Sequence, residues 1–299
     1  MPVHRPGAWL DDALASIPEK GPGGTIAVII RDSTPEGSSE ALIEPHRERL
    51  SIDYEYWPEI ASWTRKTNMG VEAASSRYVA TLHQDDLWFA SRAETIAAMI
   101  ERHPDAALYL TGAAIVDEKG ARLGDWNPPF ANAVQDKLDY VSRLLVQNTI
   151  AMPSPVWQRD AYLASGGMDE NLWYTPDWDL WLKLADQGDV VFDPKVTAGF
   201  RIHGSSLTMT GDRSEMAREL DAILARYGDH SSRFAALSRA SAKVNTALAA
   251  ASGGNLTAGL SALGAIAGLG PVGAARYLKY SRLIERVWPR VRLRLKGAM

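Results

Sequence analysis

A chain of 299 residues, 46% hydrophobic and 23% charged, is long enough to bury a substantial core, and this composition excludes an intrinsically disordered chain. The absence of cysteine excludes disulfide bonds and thiolate metal sites and is typical of a reducing compartment. No secretory signal opens the chain, and its most apolar stretch, residues 256–275, is broken by Pro271, so we predict a cytoplasmic protein.

Helices and strands alternate along the first hundred residues. The hydrophobic pattern predicts helices over residues 8–17, 38–50, 66–76 and 89–100, and strands over residues 25–32, 53–58 and 77–84. Parallel strands joined by helices produce such an alternation. The pattern therefore predicts an α/β fold with a mainly parallel sheet flanked by helices.

The second half of the chain has a different pattern. It predicts two strands, or one strand and a turn, over residues 106–120, a loop over 125–132 and a helix over 134–147. From about residue 214 onward the sequence is helical and rich in Ala. We therefore predict an α/β domain over residues 1–212 and an α-helical C-terminal extension over residues 213–299.

Two adjacent acids follow one of the predicted strands. Residues 78–82 form an apolar run, and His83, Asp85 and Asp86 come directly after it, before the next helix. The acids are therefore expected on a loop at the carboxyl end of a strand, where open α/β sheets bind ligands. A solvated turn is the alternative interpretation.

A second pair of acids opens a predicted helix. Thr175 as the N-cap and Pro176 at the first position mark the helix start, which places Asp177 in the first turn, where the helix dipole favours a negative charge. Asp177 and Asp179 point about 200° apart on a helix, because each residue turns about 100°. They cannot both serve one site, and capping alone could explain an acid here.

Four segments follow one another along the chain, namely IAVIIRDS, TRKTNMGVEAASSRYVATLHQDDLW, GGMDENLWYTPDWDLWLKLADQGDV and AGFRIHGSSLT. In this order they resemble glycosyltransferase family 2, and the resemblance covers roughly residues 5–210. It implies a GT-A fold, a nucleotide-diphosphate sugar as donor, a divalent metal (Mn²⁺ or Mg²⁺) as cofactor, and transfer with inversion at the sugar.

The resemblance also implies the metal ligands and the base. Asp85, with Asp86 in support, matches the Asp-x-Asp motif that binds the metal, and His203 matches a histidine near that metal. Hard cations of this kind prefer oxygen ligands. His83 stands in the place of the motif's first acid, and we expect it to contact the nucleotide rather than the metal; a buried histidine at the strand end is the alternative. Asp177 falls at the position of the general base that takes the acceptor proton.

Further residues match the donor and acceptor sites of the family. On the donor side the resemblance implies a base-binding role for Asp32 and phosphate-binding roles for Arg65, Lys66 and Arg201. The alternative for Arg65 and Lys66 is a solvated basic pair. The alternative for Arg201 is an ion pair with an acid of the core. On the acceptor side the matching residues are a glycine turn and an aromatic ring that a sugar could stack on, namely Gly166, Gly167 and Trp173.

The beginning of the chain departs from the family pattern. Family members usually begin with an apolar strand and a Pro-x-x-Asn-like turn, whereas MPVHRPGAWLDDAL resembles only the turn and the helix after it. We expect either a start further upstream or a sheet without its first strand. The second case would expose an edge of the neighbouring strand and open the nucleotide pocket.

The C-terminal tail is basic although the whole chain carries a net charge of −4. From Pro271 onward eight basic residues face one acid, and aromatic and aliphatic residues are interleaved with them. This pattern suits an amphipathic element on an anionic membrane surface. A terminal helix packed on its own domain is an equal alternative. Nucleic acid is a weaker third partner, because the rest of the chain is acidic, and we predict none.

Together these features predict a nucleotide-sugar-dependent glycosyltransferase that acts on a cell-surface glycan or lipid-linked precursor. We expect it in the cytoplasm, with a peripheral position on the inner face of the cell membrane. One alternative is a non-catalytic nucleotide- or sugar-binding or assembly protein of the same fold. The other is a metal-dependent nucleotidyltransferase or diphosphate hydrolase, which would share the carboxylates but would not require Asp177.

Overall fold

The computed structural model describes residues 1–204, 212–228, 234–252 and 256–295. Over these residues the chain divides into two compact units. The first, an α/β unit, contains Met1–Asn127, Ala131–Val134 and Ile150–Ile202. The second, a helical unit, contains Pro128–Phe130, Gln135–Thr149 and the chain from His203 onward. The predicted domain boundary at residue 212 adjoins residues 205–211, which lie outside the described residues, and it stays a prediction.

The helices, numbered in chain order, fall into the two units. Those of the α/β unit are α1 (Trp9–Ser16), α2 (Glu40–Ile43), a 3-10 helix (Glu44–His46), α3 (Trp63–Ala73), α4 (Arg92–Arg102), α6 (Arg159–Ala164) and α7 (Pro176–Leu184). Those of the helical unit are α5 (Lys137–Val146), α8 (Arg213–Tyr227), α9 (Ala235–Ser252), α10 (Leu256–Ala267), α11 (Gly270–Ser281) and α12 (Leu283–Leu295).

The strands of the α/β unit form two sheets and a small hairpin. They are β1 (Pro2–Val3), β2 (Lys20–Gly21), β3 (Gly24–Thr25), β4 (Ala27–Asp32), β5 (Ser51–Tyr56), β6 (Tyr78–Val79), β7 (Leu87–Trp88), β8 (Leu108–Val116), β9 (Arg122–Trp126), β10 (Ala133–Val134), β11 (Val156–Gln158) and β12 (Val190–Arg201). One sheet has the order β1-β4-β5, and the other the order β10-β12-β8-β11-β6, with β7 on β12 and β9 on β8.

Parallel ladders form the core of both sheets. In the smaller sheet β4 pairs in parallel with β1 on one side and β5 on the other. In the larger sheet the longest ladder joins β8 and β12 in parallel, from Leu108 opposite Val190 to Val116 opposite Arg201. Every residue of β8 is buried, as expected for a strand covered on both faces. Shorter antiparallel strands flank this core, and the predicted α/β class is confirmed.

The position of the first strand is occupied. β1 has only two residues, but Pro2 lies opposite Arg31 and Val3 opposite Asp32, and the amine of Met1 donates to the Ile29 carbonyl (2.7 Å). Val3 is buried in the apolar core under this sheet. The expectation of a sheet without its first strand is therefore wrong, although β1 covers only the carboxyl-terminal part of β4.

Two predicted elements differ from the structure in length, and for a third the structure selects one of two alternatives, the strand and turn. The helix predicted over residues 38–50 is a four-residue α2 and a 3-10 helix, because Pro45 lies inside it. The strand predicted over 77–84 contributes only Tyr78 and Val79 to a ladder. Residues 106–120 form one strand, β8, and a turn closed by Asp117, whose side chain accepts from the Lys119 and Ala121 amides.

The helical unit has a core of its own. Val146, Phe234, Val244 and Tyr277 are buried together there. Within the described residues no single helix is both long enough and apolar enough to cross a bilayer. Thr257–Ala267 and Gly270–Ser281 meet that criterion only when taken as a pair, and they are bent by 112° at the break between them.

Candidate functional site

The acidic loop after β6 brings three possible metal ligands together. One ligand atom from each of His83, Asp85 and Asp86 lies within 4.8 Å of the others. The loop is short and turned, since the Asp86 amide donates to the His83 carbonyl (3.2 Å). Two carboxylates and an imidazole at such spacing suit a divalent cation, so the site has the composition that the predicted metal requires.

Asp86 is the buried member of this cluster. Its Oδ1 accepts from the backbone N–H of Arg201 at the end of β12 (3.0 Å). Burial and the neighbouring Asp85 raise the pKa of Asp86 well above its usual value, and the contact with Arg201 offsets this only in part. A cation beside the two carboxylates would relieve their repulsion, which is the electrostatic condition for binding one.

Arg201 holds the acidic loop in place. Its guanidinium is buried and donates to the carbonyls of Asp85 (2.7 Å) and Glu118 (2.7 Å) and to the carboxylate of Asp12 (3.1 Å). It also lies over the ring of Trp9, 5.7 Å from the centroid. Of the two roles that the sequence left open, pairing with phosphate or with an acid, the geometry shows an ion pair with Asp12.

His83 is held by an aromatic neighbour. Its ring packs edge-on against Trp63, with 5.1 Å between the ring centroids. Burial lowers the pKa of His83 to about 4 despite the nearby Asp85, so the imidazole is neutral at physiological pH. Its Nε2 is buried and has no hydrogen-bond partner in the part of the chain that the structure describes. A neutral imidazole with a free nitrogen can ligate a metal.

Trp63 was not singled out by the sequence analysis. It begins α3 directly after the N-cap Ser62, whose side chain accepts from the Arg65 amide (3.2 Å). Its indole N–H points to the carbonyl of Trp173 (3.4 Å), while its ring contacts His83. Trp63 therefore lies between the acidic loop and the segment that leads into α7. A tryptophan beside a helix cap was the available sequence signal.

Asp32 ends β4 and is fully buried. Its two oxygens accept four hydrogen bonds, from the Thr34 amide (2.9 Å), the Thr34 hydroxyl (2.7 Å), the Ser39 amide (2.8 Å) and the Tyr54 hydroxyl (2.8 Å). Burial alone would raise the pKa of Asp32, but these bonds outweigh it and lower the value. The carboxylate thus fixes the 33–39 loop, and its predicted contact with a nucleotide base stays a prediction.

Lys66 and Arg65 occupy opposite environments. Lys66 is buried, and its ammonium donates to the Val3 carbonyl and the Ser33 hydroxyl, both at 2.6 Å. Burial lowers the pKa of Lys66 to about 8, although Asp32 opposes the shift. Arg65 is exposed and forms a long ion pair with Glu170 (3.4 Å). Arg65 is the cation of the two that a ligand could reach.

Asn68 joins α3 to the glycine turn. Its Oδ1 accepts from the Tyr162 hydroxyl (2.5 Å) and the Met168 amide (3.0 Å), and its Nδ2 donates to Glu170 (3.0 Å). Gly166 and Gly167 have φ of +81° and +66°. A Cβ on Gly167 would lie 2.9 Å from Asn68 Oδ1, so glycine is required there for packing as well as for backbone conformation.

The two acids of α7 differ in their surroundings. Thr175 is the N-cap but makes no side-chain cap bond, and Asp177 Oδ1 accepts from the Trp178 amide (2.8 Å). Asp177 is partly exposed, whereas Asp179 is fully buried and paired with Lys183 (2.8 Å). As the helix geometry predicts, one acid is structural. Trp173, whose ring contacts Tyr174, precedes them at half-burial.

An open cavity of about 530 Å³ lies beside the first two parallel strands. It is lined by residues that follow β1 and β4, namely Pro6, Gly7, Ala8, Thr34, Glu36, Gly37, Ser38, Ser39, Ala41 and Leu42. This is the carboxyl end of those strands, the edge at which α/β sheets bind ligands.

His203 is buried and belongs to the helical unit. Its role at the metal stays a prediction.

The amino-acid sequence matches one family model and two relatives. Residues 25–245 match the model described as Glycosyltransferase like family 2. The glycosyltransferases RP339 of Rickettsia prowazekii and RT0329 of Rickettsia typhi are each 23% identical to the chain over 217 residues. That alignment covers 70% of this chain and 65% of each relative, so the chain spans about 65% of their length.

Solved structures match the fold. TarS 1–349 of S. aureus in complex with UDP-GlcNAc matches with a TM-score of 0.63 at 13% identity. The match covers 83% of this chain and 79% of the TarS chain. Of a longer TarS chain the match covers 48%. Mannosyltransferase PcManGT from Pyrobaculum calidifontis, in complex with GDP-Man and Mn²⁺, matches with a TM-score of 0.55 at 16% identity. That match covers 95% of this chain and 85% of the PcManGT chain. These likenesses confirm the predicted GT-A fold.

Proposed function

Since the chain belongs to Glycosyltransferase like family 2, we propose that it is a glycosyltransferase that transfers a sugar from a nucleotide-diphosphate sugar to a hydroxyl of a cell-surface glycan or lipid-linked precursor. Transfer inverts the anomeric carbon and depends on a divalent metal. The observation that carries this proposal is the convergence of His83, Asp85 and Asp86 at the carboxyl end of a strand in a GT-A fold.

Asp85 and Asp86 hold Mn²⁺ or Mg²⁺ in this proposal. The metal, when bound, neutralises charge that develops on the departing diphosphate. The protein's own part is to fix the two carboxylates. Arg201 does this from two sides, through its backbone N–H to Asp86 and through its guanidinium to the Asp85 carbonyl.

Asp177 is the proposed general base. It takes the proton of the acceptor hydroxyl while that oxygen bonds to the anomeric carbon, and the bond to the diphosphate breaks on the opposite face, its electron pair leaving with the diphosphate. The position of Asp177 is rigid because its Oδ1 accepts from the next amide of α7. No covalent intermediate is needed for inversion.

The ligands of the similar structures support the donor class. TarS has been solved in complex with UDP-GlcNAc and with UDP, and PcManGT in complex with GDP-Man and Mn²⁺. We propose a donor of the same chemical class for this chain. Arg65 is the proposed phosphate contact, since its guanidinium is exposed, and Gly166, Gly167 and Trp173 are the proposed acceptor contacts. Asp32 and Lys66 are buried and would support the donor pocket through the loop that follows β4.

The donor proposal is tested by thermal unfolding with UDP, GDP, CDP and dTDP, each with and without Mn²⁺. A ligand that binds only the folded state stabilises it by about 2.7 kcal/mol at a hundredfold excess over Kd. We expect one nucleotide to raise Tm only with metal, Asp85→Ala to abolish the effect, and the exposed-acid control Asp105→Ala to keep it. Stabilisation by none of them would favour the non-catalytic alternative. Donor hydrolysis without acceptor would favour the hydrolase.

We further propose that the helical unit binds peripherally to the inner face of the cell membrane. Residues 256–275 carry no charge, and the large apolar side chains Leu260, Leu263 and Val272 are 65–70% exposed there. Trp288 is 59% exposed in α12, and exposed cations follow the uncharged segment, namely Arg276, Lys279 and Arg292. Apolar and cationic side chains together favour an anionic lipid surface.

Vesicle sedimentation tests the membrane proposal. The protein should sediment with vesicles of phosphatidylglycerol and phosphatidylcholine more strongly than with phosphatidylcholine alone, and high salt should weaken the binding. Leu260→Ser/Leu263→Ser should reduce binding, whereas Leu138→Ser, an exposed leucine of α5, should not. Equal or absent binding to the two vesicle types would contradict the proposal.

A further inference from the structure

His83 is the residue that makes the candidate metal site differ from a site built of oxygen ligands alone. Its ligand atom lies within 4.8 Å of those of Asp85 and Asp86. The proposed function uses the two acids as ligands and gives the histidine no part in metal binding. An imidazole at this place changes which cations the site can prefer.

Two structural features of His83 favour a metal contact. The Nε2 atom is buried and has no hydrogen-bond partner among the described residues. The Trp63 ring packs edge-on against the imidazole at 5.1 Å, which restricts its rotation. A buried ring nitrogen without a partner is rare, because such atoms are normally satisfied. A metal ion would supply the missing partner.

The donor set determines the metal preference. Mg²⁺ requires a nearly ideal octahedron of oxygen ligands, whereas imidazole nitrogen is a ligand for transition-metal cations. Asp86 already uses Oδ1 to accept from Arg201, so it offers fewer oxygens to the cation than a free carboxylate does. Replacing an acid by a neutral nitrogen ligand therefore weakens Mg²⁺ more than it weakens Mn²⁺.

We propose that His83 is a direct metal ligand and that it makes the site select Mn²⁺, or a similar transition-metal cation, over Mg²⁺. This inference rests on the proposed function, which supplies the metal and the nucleotide. It assigns to His83 a metal contact in place of the nucleotide contact that the sequence analysis expected. It also predicts that an acid at position 83 converts the site toward Mg²⁺.

Pulsed electron paramagnetic resonance of bound Mn²⁺ tests the contact itself. The full chain is loaded with Mn²⁺ together with UDP or GDP, and ¹⁴N modulation from a coordinated imidazole is recorded. We expect the modulation in the unmodified protein and in His203→Gln, and its loss in His83→Gln. Bound Mn²⁺ without ¹⁴N modulation, or modulation lost only in His203→Gln, overturns the proposal while leaving metal use intact.

Competition between cations tests the selectivity. Free Mn²⁺ is titrated with Mg²⁺ as competitor, on the unmodified protein and on His83→Asp. Since altering an outer-shell partner of a metal ligand already changes affinity about 10–100-fold, we expect the ratio of the Mg²⁺ to the Mn²⁺ Kd to fall at least about tenfold in His83→Asp. An unchanged ratio overturns the proposal.

Two further outcomes separate this inference from the proposed function. If no Mn²⁺ binds with either nucleotide, the metal role of His83 is overturned. Stabilisation by a nucleotide without metal would then show whether donor binding survives. Trp63→Leu provides a second variant that leaves all three ligands in place. It should broaden the ¹⁴N signal without abolishing Mn²⁺ binding, because only the packing of the ring is lost.

Discussion

Two acidic loops of the α/β unit follow apolar strands of different sheets, and their carboxylates are used in opposite ways. Asp32, after β4, accepts four hydrogen bonds from within its own sheet and loop. Asp85 and Asp86, after β6, converge with His83, which has a buried nitrogen without a hydrogen-bond partner among the described residues. The first loop is fixed by its own carboxylate, and the second brings three possible ligand atoms together.

The difference also shows in the electrostatics. Hydrogen bonds lower the pKa of Asp32, whereas burial and a like charge raise the pKa of Asp86. Folding therefore favours the charge on Asp32 and disfavours the charge on Asp86 until a cation arrives. The number of donors around a carboxylate, rather than its place at a strand end, distinguishes a structural acid from a binding one.

The largest expected effect separates the two acids of α7 in the same way. Asp177→Asn should lower sugar transfer by about 10²–10⁴-fold, because it removes the proposed base, and should leave stability nearly unchanged. Asp179→Asn should lower the free energy of unfolding by about 3 kcal/mol, since it leaves the half-buried Lys183 without its charged partner.

The pair is compared by initial rates with saturating donor and by urea unfolding. Asp179→Asn should retain the activity of each folded molecule. The distinction fails if Asp177→Asn keeps more than about a tenth of the activity, or if both variants lose activity to the same extent.

Removing the Asp32 carboxylate, which accepts four hydrogen bonds, should have the next largest effect. Asp32→Ala should lower the free energy of unfolding by about 3 kcal/mol or more, because four donors lose their acceptor in a buried place. The exposed acid Asp53, which pairs with Arg31 on the next strand, is the control. Asp53→Ala should cost less than about 1 kcal/mol.

The effect of Asp32→Ala should also depend on pH. The folded pKa of Asp32 lies below the unfolded value, so its stabilisation is present above pH about 4 and is lost as pH falls through the folded pKa. The difference between the native chain and Asp32→Ala should therefore narrow below pH 4 in urea unfolding. A difference below about 1 kcal/mol at pH 7 would show that the loop does not depend on this carboxylate.

The local hydrophobic pattern was sufficient to predict the architecture, but it did not predict the longest strand, β12. The alternation of residues 8–100 predicted the helices and parallel strands, because each element shows its own hydrophobic period. β12 was not predicted. Asp193, Pro194 and Lys195 interrupt its apolar pattern, and the ladder with β8 shifts register there. A bulge of this kind is stabilised by the neighbouring strand, which the sequence does not display.

The site could be predicted as far as its residues are neighbours in sequence. His83, Asp85 and Asp86 come together because one short turn contains them. The contacts that fix them were not predictable, since Arg201 is 115 residues from Asp86. Likewise Asn68 bonds to Met168 across 100 residues. A polar residue on a helix does not reveal which distant backbone group it will meet.

The smallest effect tests whether the buried ammonium of Lys66 helps to hold the loop that follows Asp32. This lysine has a pKa of about 8 in the folded protein, lowered by burial from an ordinary value of 10.5. Between these values the unfolded chain binds more protons, so the free energy of unfolding should rise with pH, by at most about 1.4 kcal/mol per pH unit. Lys66→Met should remove the rise between pH 8 and 10.

The exposed lysine of the turn after β8 is the matched control, and Lys119→Met should keep the rise. The window ends near pH 10, because burial raises the pKa of Tyr54 to about 12 and tyrosine ionisation then acts in the opposite direction. An equal slope in Lys66→Met would mean that the ammonium is solvated in solution. The contacts of Lys66 with Val3 and Ser33 would then not hold the Asp32 loop in place.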